Sequence, residues 1–526
     1  MTARTLPQLL DQATERDPEH LALVQPEPAG ERGMTYRQLA TDSARLATGL
    51  TRLGLRRGDR ILVWLPNLPE WFVTQFAAAR LGLTAVAVNT RYRGSEIADI
   101  LQASSAKAIV LAQGFLGIDF LAMAQEASHG TRLEHVIDVA ADSADSRALS
   151  FARQLADGPS PSLAQPGDLA AVFCTSGTTA APKLAAHDQQ SVVGHARNVA
   201  AATDMRPGDA LLLALPAAGV FGFSGALAAL AAGATLVLQP VFDAAVTVTL
   251  LERYSITHFY GPDAMLQAVL DAAGGRHPGF ARWRWGAFAS FTTGQPQRLV
   301  TRAEEQAGVR LHGTYGSSEC FALMSTWPSE APAASRARGG GYLVSPDMQV
   351  RCVAPGTSAP QPPGEPGELQ FRGYNVLACY LGNPAATAAS KTADGWFRSG
   401  DLGHVQPDGS FVYLARLKDS LRLGGYLVDP QEVEEQLQEH PSVEIAQLVG
   451  VWREQKGDVP VAFVRLRSGT RADEPELLGF LRHRMASYKV PHRVLFVDEF
   501  PSTDGANGRK IQKSRLREIA QQRLED

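Results

Sequence analysis

Seven short apolar runs recur along the first half of the chain: Ile61 to Leu65, Ala85 to Val88, Ile109 to Leu111, Ala170 to Cys174, Leu211 to Leu215, Thr235 to Leu238 and His258 to Tyr260. Ala- and Leu-rich stretches of helical length separate them. Apolar runs without polar alternation suit strands covered on both faces, and strands that alternate with helices form parallel sheets. The expectation is an α/β fold of doubly wound layers, over about residues 1–165 and 166–330, with the Pro- and Ser-rich segment Asp157 to Gly167 joining them. From about Ser329 the texture changes to Pro, Gly and Ser clusters between short alternating segments, which predicts a small β subdomain over about 331–417. Beyond Lys418 a mixed pattern returns. It predicts helices near Pro430 to His440 and Glu474 to Met485 and strands at Ile445 to Trp452, Val459 to Leu466 and Val494 to Val497, a separate α+β domain over 418–526.

A chain of 526 residues is too long for one core, which agrees with this division. Lys plus Arg number 50 against 54 Asp plus Glu, a net charge of −4 that gives no electrostatic footprint for nucleic acid. Cys174, Cys320, Cys352 and Cys379 are scattered, with neither disulfide nor zinc spacing. Met1 to Leu10 lacks a signal-like pattern, and no long uninterrupted apolar stretch suggests membrane insertion. A cytoplasmic protein, monomeric or homodimeric, is expected.

The Ala170 to Cys174 run leads into Thr175, Ser176, Gly177, Thr178, Thr179, Ala180, Ala181, Pro182 and Lys183. This stretch offers backbone N–H groups, hydroxyls and an ammonium with little bulk, the makings of a polyphosphate cradle. It is not the Walker pattern, because Pro182 blocks an immediate helix and no Gly-Lys-Ser/Thr follows at the required spacing. Taken alone it is equally a Ser/Thr-rich surface turn. Its place at the carboxyl end of a strand, where such sheets bind ligands, favours the cradle.

Four later segments follow in order: Tyr315, Gly316, Ser317, Ser318, Glu319; then Gly395 to Asp401; then Arg416 to Asp419, running on to Gly424, Gly425 and Pro430 to Glu432; then Gly508 to Lys513. With the Thr175 loop, this series resembles the adenylate-forming superfamily of acyl-CoA synthetases, peptide-synthetase adenylation domains and luciferases. The similarity runs from about Thr35 to Leu516.

The resemblance implies a large N-terminal domain, a small mobile C-terminal domain, and ATP, Mg2+ and CoA as cofactors. It assigns Thr175, Ser176, Gly177, Thr178, Thr179 and Lys183 to the β- and γ-phosphates, with Thr178 also catalytic. Glu319 becomes the magnesium carboxylate, beside Ser318 where the family usually has threonine. Tyr315 and Gly316 fall along the adenine, and Asp401 and Arg416 on the ribose and phosphates. Lys510 is the catalytic lysine, a point charge able to reach between the acid carboxylate and the α-phosphate. Arg509 stands between Gly508 and Lys510, where the family has glycine directly before lysine, and so competes for that role. Lys418 falls at the hinge, and Gly424 and Gly425 where the thiol arm of CoA passes for thioester formation. Ala180 replaces a usual glycine; if that position needs positive φ, alanine costs on the order of 1 kcal/mol.

The family's acyl pocket maps to Gly219, Phe221, Tyr260, Ser290 and Gly313. Gly219 stands where many relatives have histidine, and Phe291 to Thr293 replace a Gly-Gly-Ala run. Ala217 and Ala218 occupy the region where amino-acid-activating domains place an Asp, so an aliphatic, alicyclic or aryl carboxylic acid is the expected substrate. An acyl carrier protein in place of CoA, or a nucleotide-binding homologue without catalysis, are the alternatives at this point.

Overall fold

The computed structural model describes residues 3–525, apart from 29, 141–147, 159–161, 176–182, 276–277, 291–295, 418–420, 424–425, 429, 454–456, 486–488 and 506–507. Each of the seven apolar runs is a strand, and six of the seven strands are joined to their neighbours in parallel only. The exception is Leu169–Cys174. It pairs in parallel with Thr84–Ala87 and antiparallel with Leu184–Asp188, which in turn pairs antiparallel with the short strand Cys379–Tyr380.

The layers do not follow the expected 1–165 and 166–330 split. An eight-stranded sheet runs Cys379–Tyr380, Leu184–Asp188, Leu169–Cys174, Thr84–Ala87, Arg60–Trp64, Ala108–Leu111, His135–Asp138, Leu149–Ser150. The seven-stranded second sheet runs Arg310–Gly313, Trp285–Ala289, His258–Pro262, Ala210–Leu213, Thr235–Leu238, Leu21–Glu27, Gly30–Thr35. The chain thus begins in the second sheet, crosses to the first, and returns. The hairpin Leu21–Glu27 with Gly30–Thr35 carries Pro26, Gly30 and Gly33, which mask it in the sequence; the glycines sit in the edge strand, and Pro26 lies beyond the Leu23 and Val24 pairing with Thr235–Leu238.

One apolar cluster unites the sheets, taking Ile61, Val63 and Phe173 from one and Leu23, Leu211 and Leu236 from the other. The helices Pro69–Leu81 and Val220–Ala232 fill it. Both are buried along almost their whole length, the first with Glu70 and Arg80 reaching out at its two ends. Pro69 opens its helix and Gly82, at φ 69°, closes it in the left-handed conformation that spares glycine a steric penalty.

The β subdomain begins earlier than residue 331, because Tyr315–Ser317 and Phe321–Thr326 are two strands of its seven-stranded antiparallel sheet. At the other end of the chain, Val443–Arg453, Gly457–Leu466 and Arg493–Phe496 form a three-stranded sheet. It packs with the helices Pro430–Gln438, Glu474–Arg482 and Lys513–Glu525 around apolar clusters drawn only from residues 421–524. Among the described residues no helix is long and apolar enough to cross a membrane.

Candidate active site

The strand Leu169–Cys174 delivers the chain to Thr175, whose N–H donates to the Lys183 carbonyl at 2.9 Å and closes the loop between them. Ser176, Gly177, Thr178, Thr179 and Ala180 lie outside the described residues. Lys183 is exposed, with its Nζ 5.2 Å from the centre of the Tyr380 ring. The Tyr380 hydroxyl donates to Glu319 Oε1 at 2.9 Å. Tyr380 thus joins two residues that are far apart in the chain, an ammonium above its ring and a carboxylate at its hydroxyl. Strand pairing of Tyr380 with Ala185 fixes this arrangement, since Ala185 lies two residues beyond Lys183.

Glu319 sits in the tight turn between Tyr315–Ser317 and Phe321–Thr326, and in the second of these strands Phe321 and Leu323 have φ of 62° and 59°. Left-handed backbone at a residue with a side chain costs of order 1–2 kcal/mol, so the surroundings must hold it. Donors from outside the turn meet its carbonyls in succession. Ser318 receives from His187 Nε2 at 2.8 Å, Glu319 from the Leu377 N–H at 2.7 Å, Cys320 from Asn375 Nδ2 at 3.1 Å, and Ala322 from His195 Nε2 at 2.7 Å. The Phe321 ring lies between the two imidazoles, 3.9 Å from His187 and 4.7 Å from His195, centre to centre. Burial lowers both histidines from 6.5 to about 4, so both are neutral at pH 7. A neutral ring has a single N–H, and with Nε2 against a carbonyl that N–H is on Nε2; each Nδ1 is buried without a hydrogen-bond partner.

The Asp401 carboxylate is 3% exposed, in the strand Phe397–Val405, directly across from Arg416 in Phe411–Arg416. Tyr315 donates its hydroxyl to Asp401 Oδ2 at 2.5 Å, and Arg416 Nη1 stands 3.1 Å from Oδ1. Burial pushes the Asp401 carboxyl up, opposed by the Arg416 charge and the Tyr315 hydrogen bond. Oδ1 has no hydrogen bond of its own, which leaves a buried acceptor beside a half-exposed guanidinium. The Tyr315 ring is packed by Phe371, Phe411 and Tyr413 at 5.2, 5.4 and 5.6 Å. With 6% of the residue exposed, what Tyr315 visibly supplies is the hydroxyl that supports Asp401.

Gly219 precedes the helix Val220–Ala232 and donates its N–H to the Pro216 carbonyl at 2.9 Å. Phe221 and Tyr260 are buried with parallel rings 6.5 Å apart. Ser290 donates to the carboxylate of fully buried Asp263 at 3.0 Å. Of these, Phe221 and Tyr260 pack on each other; Gly313 is small for another reason, since a Cβ there would lie 2.5 Å from the Arg338 carbonyl oxygen. Gly316 is likewise bound to its neighbours, since its Cβ would meet the Phe321 oxygen at 2.2 Å. Phe291 to Thr293, Lys418, Gly424 and Gly425 lie outside the described residues. Lys510 belongs to a hairpin of Ser502–Gly505 and Gly508–Ile511, which sequence reasoning did not place; its backbone pairs with Thr503, and that of Arg509 with Asp504.

Sequence reasoning missed Tyr380, His187, His195 and Asn375. A histidine inside an apolar strand or helix reads as an ordinary core residue, and its partners here lie more than a hundred residues away.

Residues 10–381 match the AMP-binding enzyme family, and residues 432–506 match the AMP-binding enzyme C-terminal domain. The chain belongs to this family, the adenylate-forming enzymes, and by class it is an AMP-forming acid–thiol ligase. Among its relatives is 3-[(3aS,4S,7aS)-7a-methyl-1,5-dioxo-octahydro-1H-inden-4-yl]propanoyl:CoA ligase of Mycobacterium tuberculosis, 32% identical over 98% of this chain and 99% of that protein. Feruloyl-CoA synthase of an Amycolatopsis species is 32% identical over 93% and 94% respectively. In fold the chain is similar to ATP-bound MatB from Rhodopseudomonas palustris, with a TM-score of 0.84 and 24% identity over 98% of this chain and 99% of that one.

Proposed function

We propose that this protein activates a ring-containing carboxylic acid with ATP and passes the acyl group to CoA. The observation that carries the reading is the convergence of Lys183, Tyr380 and Glu319 beside the Thr175 loop. In the first step a carboxylate oxygen of the acid attacks the α-phosphorus of ATP, the bond from that phosphorus to the bridging oxygen breaks, and pyrophosphate leaves. Two anions approach each other, so fixed cations and donors must meet the charge as it builds. Thr175, Ser176, Gly177, Thr178, Thr179 and Lys183 take the β- and γ-phosphates. Asp401 accepts from the ribose through Oδ1, which is ion-paired with Arg416 but has no hydrogen bond of its own, and Tyr315 holds Asp401 in place. Lys510 supplies the point charge between carboxylate and α-phosphate.

A single carboxylate beside a phosphate loop is the donor set that Mg2+ uses when substrate phosphates and water complete its shell, and Glu319 fits it. Bound there, the ion neutralises phosphate charge. In the second step the CoA sulfur attacks the acyl carbon, its proton is lost and AMP leaves. We assign Lys418 as the hinge about which residues 418–526 turn between the steps, Lys510 serving the first and Gly424 and Gly425 the second. The small residues Ala217, Ala218 and Gly219 at the head of a buried helix favour an alicyclic or aryl acid over a slender one. The four cysteines are free, in keeping with a reducing compartment such as the cytoplasm.

The test is acid-dependent exchange of pyrophosphate into ATP across a panel of aliphatic, alicyclic and aryl acids, followed by thioester formation with CoA. Exchange with the ring-containing acids is the expected result. If no acid in the panel supports exchange, the reading is wrong.

A further inference from the structure

The turn that carries Ser318 and Glu319 is held in a conformation it would not keep alone. Two non-glycine residues of the strand that leaves it, Phe321 and Leu323, are left-handed, and the strand pairing slips between Tyr315 and Ser317. The hairpin's own ladder therefore leaves the carbonyls of Ser318, Glu319, Cys320 and Ala322 to donors from elsewhere. Two of the four donors are histidines, and both also grip the Phe321 ring.

The histidines come from the segment that continues the phosphate loop. His187 lies in Leu184–Asp188, four residues past Lys183, and His195 lies in the helix Gln189–Ala202 that follows. Asp188 caps that helix by accepting from the Ser191 N–H at 2.8 Å, so strand and helix meet with no loop between them. The piece of chain that fixes Lys183 thus also fixes the backbone on either side of Glu319. A core histidine that merely fills space needs neither feature.

We propose that His187 and His195 are positioning residues for Glu319, clamping its turn in the backbone conformation that presents the carboxylate to the Mg2+-bound phosphates of ATP. The proposal rests on Glu319 being the phosphate-side carboxylate.

The experiment measures Mg2+-ATP binding by calorimetry without acid, and pyrophosphate–ATP exchange as a function of Mg2+, ATP and acid, both on the full-length protein, with a thermal melt of each variant. His187→Phe and His195→Phe keep a ring against Phe321 and remove the donor. Each is expected to raise the half-saturating Mg2+ and ATP about tenfold, the scale of one lost buried hydrogen bond, with the acid KM within twofold of the parent. His187→Gln and His195→Gln restore an N–H donor and are expected to recover most of that loss. Phe321→Ala removes the gripped ring without touching either histidine and is expected to give the same selective shift, so the clamp stays testable if a Phe variant fails to fold. Unchanged Mg2+ and ATP saturation in the folded variants, or an acid KM that rises in parallel, overturns the clamp. Glu319→Gln separates the two ideas. If it shifts Mg2+ and ATP saturation and the histidine and Phe321 variants do not, the clamp alone fails; if it shifts neither, the assignment of Glu319 fails first.

Discussion

The Tyr315 hydroxyl is the neutral donor that allows Asp401 to stay buried, and burial holds that phenol well above its usual range, so it remains a donor. Tyr315→Phe takes away the hydroxyl and little else. A buried acceptor left short of a donor costs about 1–3 kcal/mol, so the variant is expected to melt earlier and to bind ATP more weakly, read as a raised KM for ATP in the exchange assay. Lys510 and Arg509 occupy consecutive positions of one strand and are separable by the same assay. Lys510→Ala is expected to lower exchange by at least a hundredfold, the scale seen when one oxyanion donor is removed, and Arg509→Ala by less than tenfold. A reversal of the two would move the catalytic role to Arg509. Asp401, Arg416 and Glu319 stand out in sequence because each lies in one of the short motifs that carry the resemblance, and strand pairing sets Asp401 across from Arg416. Tyr380 does not, because its importance arises only when strand pairing sets it between Lys183 and Glu319.

Strands and helices were legible wherever apolar residues recur with a clear period. Thr235–Leu238 matches its predicted bounds, and Val443–Arg453, Gly457–Leu466 and Glu474–Arg482 differ from theirs by a few residues. Of the two missed hairpins, the later is polar and glycine-rich, and the earlier has one short apolar strand cut off by Gln25 and Pro26 and one polar partner, so backbone pairing forms them without a sustained apolar period to announce it. Glycines are where element and site are easiest to confuse. Gly313 ends the strand Arg310–Gly313 in contact with the backbone of Arg336 and Arg338, so its smallness serves the close approach of the strand end to the short helix Ala333–Arg336 and the turn after it. Gly313→Ala is expected to destabilise by about 1–3 kcal/mol through backbone displacement, measured as a lower melting temperature. A melting temperature equal to the parent's would return Gly313 to the acyl pocket as a lining residue.

Across the whole molecule, His187, His195, His258 and His312 are each lowered by burial from 6.5 to about 4. The unfolded chain takes up these protons near pH 6.5 and the folded chain refuses them until about pH 4. The unfolded state therefore holds more protons in that window, and their contribution to stability is complete above pH 6.5 and lost as pH falls toward 4. Each contributes a slope of about 1.4 kcal/mol per pH unit. The urea midpoint is expected to fall clearly between pH 7 and pH 5, and a flat midpoint over that interval would mean the histidines are hydrated. The interleaving of the two sheets has another consequence, for synthesis. The strand Leu21–Glu27 is made early, yet its parallel neighbour Thr235–Leu238 leaves the ribosome roughly two hundred residues later, on the order of ten to forty seconds at the usual pace of translation. Arg60–Trp64, Thr84–Ala87 and Ala108–Leu111 can assemble in the meantime, so the nascent protein grows outward from its middle. Its opening hairpin travels with one apolar edge bare, a surface for a chaperone to cover until the second sheet arrives.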